Sequence, residues 1–75
     1  MMGSTTGRGT VRSFDETGGL GEIAGVDGSI RPFHCVEIAD GSRHIDIGVE
    51  VDYRLVPKLG RWEAADIRRV PTGSR

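Results

Sequence analysis

Three sets of side chains in this sequence are able to do chemistry: the adjacent pair His34-Cys35, the nearby His44, and the scattered arginines Arg8, Arg12, Arg31 and Arg43. A thiol beside an imidazole suggests either a nucleophile with its base or two ligands of a soft metal. The pattern speaks against both. Neighbouring residues on a strand point to opposite faces, so His34 and Cys35 are not expected to share an ion. Cys35 is the single cysteine, no recognised ligand spacing accompanies it, and nothing sets a nucleophile in a cleft beside a base. The expectation is therefore no enzyme, no metal and no cofactor. Arginine is different, because a guanidinium pairs with phosphate and also lies flat against aromatic rings. Asp27-Gly28 and Asp40-Gly41 read as turns, and Asp46, Glu50, Asp52 and Glu63 as a solvated acidic surface.

Those side chains have to be positioned by a small scaffold. The 75 residues make at most one domain, and such a chain buries only a modest core. A lone cysteine rules out a disulfide framework and points to a reducing, intracellular setting. With 10 basic and 11 acidic residues the formal net charge is -1, so any basic patch must be local. No run is long or apolar enough to span a membrane. The start of the chain is small and polar without a signal-peptide core, and a cytoplasmic location is expected. Residues 1–6 and 71–75 read as disordered tails around a domain at 7–70.

Twelve glycines punctuate short stretches of alternating apolar and polar residues, the signature of strands joined by turns. The first strand is expected at 9–15, with Val11 inward and Phe14 mostly buried. Asp15 to Gly19 form a turn. The second strand covers 20–25, with Gly21 and Ile23 on one face and Leu20 and Glu22 on the other. A third follows at 29–35, where Pro32 implies an edge position or a bulge, since proline donates nothing to a ladder. One short helical or 3₁₀ turn is expected within 36–44. Residues 49–56 alternate most clearly, with Val49, Val51, Tyr53 and Leu55 on one face. A turn at 57–60 leads to a fifth strand at 61–70. Five antiparallel strands of this kind predict an all-β, OB-fold-like barrel.

Specific motifs strengthen that reading. Gly9-Thr10-Val11-Arg12-Ser13-Phe14-Asp15 is similar to the opening Gly-Thr-Val-Lys-Trp-Phe-Asn of the cold-shock domain family. Gly18-Gly19-Leu20-Gly21-Glu22-Ile23 resembles the first nucleic-acid-binding motif of that family, Lys-Gly-Phe-Gly-Phe-Ile. Arg31-Pro32-Phe33-His34-Cys35 aligns with the second, Val-Phe-Val-His-Phe, and Arg61-Trp62-Glu63-Ala64-Ala65-Asp66-Ile67 with the closing Gly-Pro-Gln-Ala-Ala-Asn-Val. The resemblance covers roughly residues 7–70. It implies a cold-shock barrel that binds single-stranded RNA or DNA on the face of its first three strands.

At the family's stacking positions this chain carries Ser13, Leu20, Glu22, Pro32 and Cys35, and only His34 keeps the family residue. Base–aromatic stacking contributes roughly 1–3 kcal/mol per base, so binding by the family's contacts is expected to be weak and salt-dependent. The expected contact residues are Arg12, Leu20, Arg31, His34, Arg43 and Trp62. If Pro32 sits in a bulge, Arg31 takes the place of a stacking ring. Bland readings stand beside these. His34 is also an ordinary half-exposed strand histidine, Arg12 and Arg31 ordinary surface arginines, and Trp62 a cap on the barrel end, the role favoured for it. The second functional class is a barrel that kept its scaffold and now binds a protein or a second copy of itself.

Overall fold

The computed structural model describes residues 5–71, so most of the two expected tails lies outside the described residues. Five strands follow in order: β1 (Thr6–Asp15), β2 (Leu20–Gly25), β3 (Ile30–His34), β4 (Glu50–Lys58) and β5 (Arg61–Arg69). They form one sheet in the order β3-β2-β1-β4-β5, with every neighbouring pair antiparallel. β1 starts earlier than the alternation suggested, because Thr6, Gly7 and Arg8 pair with Arg54, Tyr53 and Asp52 of β4. The one helical element among the described residues is a 3₁₀ turn, Cys35–Glu37, in the expected region.

The inward residues build a single core. Val11, Ile23, Phe33, Val51, Tyr53, Ala64 and Ile67 come from the strands, and Ile38 and Ile45 from the long connection before β4. Sealing a side chain such as Phe33 or Ile23 contributes about 1.5–3 kcal/mol relative to leaving it exposed. Phe14 is only half-buried, but its ring stacks on Phe33 at 6.0 Å and 9°. Room for this stack comes from Gly21: a Cβ there would stand 2.5 Å from the Phe33 ring and 2.7 Å from the Ser13 carbonyl oxygen.

Two irregularities correct a simple alternation of faces. In β1 the pairing moves from Val11↔Ile23 to Ser13↔Glu22, so Arg12 is an extra residue and both Val11 and Phe14 pack on the core. In β5 the pairing moves from Arg54↔Ala65 to Asp52↔Arg68, and Asp66 takes a left-handed conformation with φ 51°. That bulge lets Ala64 and Ile67 both face inward.

Pro32 lies on an edge strand, and its register with Glu22 continues without a shift, so no bulge exists there. The β4–β5 turn is shorter than expected. Leu59 and Gly60 alone form it, with φ 50° and 85°, the signs of a type I′ hairpin. The sheet curls until β3 touches β5. Among the described residues no ladder joins these two edges, as suits a partly open OB barrel. The 3₁₀ turn and the residues just after it bridge part of the opening: Ala39 N–H donates to the Ile67 carbonyl at 2.8 Å, and Asp66 N–H to Glu37 Oε1 at 3.3 Å.

The loop over residues 39–49 is held down at two points. Arg69 donates to the Asp40 carboxylate and, at 2.8 Å, to the His44 carbonyl. The His44 ring lies between Glu16 Oε2, 2.6 Å from Nδ1, and Asp46 Oδ1, 2.9 Å from Nε2, with its edge against Phe14. The hydrogen bond with Asp46, reinforced by the Glu16 charge, raises the His44 pKa above its ordinary value.

Candidate nucleic-acid interface

The outward residues of the β2–β3 hairpin come together as their pairing dictates. Leu20 lies opposite His34, and Glu22 opposite Pro32, so these four share the solvent face. Leu20 is 56 % exposed, an apolar side chain standing in water. Beside it, Val36 in the middle of the 3₁₀ turn is 57 % exposed. Two shallow, adjoining depressions run over this front. One is lined by Ser13, Leu20, Glu22, Pro32 and Arg61, the other by Leu20, Pro32, His34, Val36, Lys58 and Arg61.

His34 ends β3 and caps the turn that follows. Its Nδ1 accepts the Val36 N–H at 3.3 Å. In the neutral ring the proton then sits on Nε2, which becomes a donor available to an acceptor on the front. Cys35 has already left the strand; it packs against the core while His34 faces solvent, yet the two side chains still approach each other. Cys35 Sγ lies 3.8 Å from His34 Nδ1. Nδ1 is occupied by Val36, and among the described residues no group of three or more His, Cys, Asp or Glu side chains is arranged to hold a metal ion.

Lys58 and Arg61 were not read as site residues from the sequence. They pair directly across the two-residue hairpin turn, and the curl of the sheet brings them over β3. A four-residue turn at 57–60 hid this; a two-residue turn would have placed the two cations side by side. The charges on this front are matched one to one. Arg12 Nε is 3.5 Å from Glu22, Arg61 Nε 3.2 Å from Glu63, and Lys58 Nζ 3.9 Å from Glu37. The carboxylates therefore do not dominate, and neither do the cations.

Three expected contacts lie elsewhere. Arg31 pairs with the sealed Ile23 and points to the inner side of β3, not to the front. Trp62 pairs with Pro57 and lines a small cleft with Arg31, Leu55 and Thr5, while its neighbours Arg61 and Glu63 line the front. The absence of a bulge at Pro32 and the alternation of β5 explain both corrections. Arg43 stands exposed on the 39–49 loop in a left-handed conformation, φ 58°, and the residues lining the two depressions do not include it. Arg8 is engaged far from β3, donating to both Asp52 oxygens at 2.6 and 3.2 Å, which lowers the Asp52 pKa. Of the expected set the front gathers Leu20 and His34, with Arg12 at its rim through Glu22.

The fold matches a solved chain described as Drosophila Unr CSD456, with a TM-score of 0.77 and 32% identity. The match covers 97% of this chain. The chain is a cold-shock-type domain. It spans 30% of the length of that Unr chain, so the likeness concerns one domain of a longer protein. No family model matches the sequence, and no curated protein does. Within the cold-shock fold, the front just described occupies the β2–β3 hairpin that carries the two motifs noted above.

Proposed function

We propose that this cold-shock domain binds single-stranded nucleic acid across the front of β2 and β3, weakly and in a salt-dependent manner. The observation that carries the reading is the convergence of Leu20, Pro32 and His34 with Lys58 and Arg61 on one pair of depressions. Leu20 and Pro32 offer apolar contact to a base, His34 Nε2–H a hydrogen bond, and the two cations attraction for phosphate. The affinity is low because, among the described residues, the exposed ring on this front is the small imidazole of His34 and each cation already faces a carboxylate.

Attraction that comes from one to three phosphate contacts predicts a slope of log K against log salt of about -0.7 to -2 for a single strand. Titration of the protein with a short oligothymidylate at low and high salt measures it, with amide shifts at Leu20 and His34 as the readout. Tight binding that ignores salt rejects this mechanism. The adjoining exposed Leu20 and Val36 favour a second reading, a protein partner or a second copy docked on the same front. Concentration-dependent shifts at those residues without any oligonucleotide would select it.

A further inference from the structure

Arg31 is an anomaly of the inner face. Its position pairs with Ile23, which is completely buried, and an apolar residue would suit it. Its Nε is the one side-chain nitrogen or oxygen among the described residues that is buried without a hydrogen-bond partner. No carboxylate among them forms an ion pair with it. Asp27, whose charge it feels, is committed to Ser29, accepting from its N–H at 3.0 Å and its hydroxyl at 2.6 Å. A buried cationic donor left unpaired is costly, and the cost is recovered when an acceptor arrives.

The cleft beside Arg31 has the shape for one group. Its volume is about 140 Å³, below the roughly 300–1,000 Å³ typical of sites that enclose a whole small molecule. Trp62, 48 % exposed, forms one wall and Leu55 another. A subsite of this size serves a chain that is held elsewhere as well. The front lies on the other side of the same two strands, because Pro32 and Arg61 line it while Arg31 and Trp62, facing the opposite way, line the cleft, so a bound strand reaches both by crossing the edge where β3 meets β5. Both therefore lie on the same seam of β3 and β5.

We propose that Arg31 and Trp62 form a second contact for the strand bound on the front. One unpaired base lies on the indole, and a phosphate or base-carbonyl oxygen satisfies the Arg31 guanidinium. The inference rests on the nucleic-acid reading of the front. A flat ring bearing oxygen acceptors uses both side chains, whereas an acidic peptide side chain would use the cation and leave the indole bare.

Trp62 is the only tryptophan, so its indole N–H resonance and its fluorescence report on this cleft alone. The experiment titrates the full chain with short oligothymidylate and, separately, with polyglutamate, following the indole, the Arg31 Nε–H and the front amides together. Expected are shifts of the indole and of Arg31 in parallel with Leu20 and His34, quenched emission, and affinity reduced about 5- to 100-fold by Trp62→Ala and severalfold by Arg31→Met. Shifts on the front with an unmoved indole overturn this inference and leave the front standing. No shift anywhere removes both. An indole that answers polyglutamate and not the oligonucleotide assigns the cleft to a protein ligand and overturns the proposal. The unmutated protein decides among these outcomes even if a variant fails to fold.

Discussion

On the inner face of the β2–β3 hairpin, Gly21 lies beneath the Phe33 ring and Ile23 is sealed from water; on the outer face of the same two strands, Leu20, Pro32 and His34 meet solvent. The inner residues are constrained by volume. The Phe33 ring occupies the space a Gly21 side chain would need, and Phe14 stacks on its other contact surface. Leu20 is 56 % exposed, so its replacement costs the fold little, whereas His34 also caps the 3₁₀ turn. One hairpin thus separates, by the pleat alone, the residues that hold the fold from those available for the proposed binding.

Four variants bear on this contrast, the largest effect first. Phe33→Ala removes a sealed ring and leaves a cavity over Gly21, and a loss of about 3–5 kcal/mol is expected in urea unfolding. A loss below 1 kcal/mol would mean that the inner face is not packed as described. Gly21→Ala places a Cβ against the Phe33 ring and the Ser13 carbonyl, and overpacking of this kind costs about 1–3 kcal/mol. An unchanged midpoint would show that the Phe33 ring moves aside freely.

Leu20→Ala sharpens the other half of the comparison. It should change stability by no more than about 0.5 kcal/mol, the usual range for surface substitutions. Oligonucleotide affinity should fall severalfold, and further in combination with Arg61→Glu. Equal losses of stability and binding would erase the distinction between the faces.

The smallest effect concerns His44, which joins the 39–49 loop to the β1–β2 turn. Its pKa is raised by the hydrogen bond with Asp46 and the charge of Glu16, so its contribution is fully present below the unfolded value near 6.5. That contribution is lost as pH rises through the raised folded value, when one ring nitrogen gives up its proton and with it one carboxylate partner. NMR titration of the His44 ring checks this, and Glu16→Gln should move the midpoint down. A midpoint that stays put would mean that Glu16 does not hold the loop.

The sequence alone determined the succession of five strands along the chain, the alternation of β4, the inward Val11 and Ile23, and the outward Leu20 and His34. These follow from the local period of the pleat and from glycine and Asp-Gly turns, which need no distant partner. The tertiary structure alone decided where Arg31, Trp62, Lys58 and Arg61 point. Their placement depends on the unbroken register at Pro32, on the alternation of β5 against β4, and on the curl that carries β5 to β3. Each of these is set by pairing between residues far apart in the chain, and a shift of one residue in a ladder moves a side chain to the opposite face.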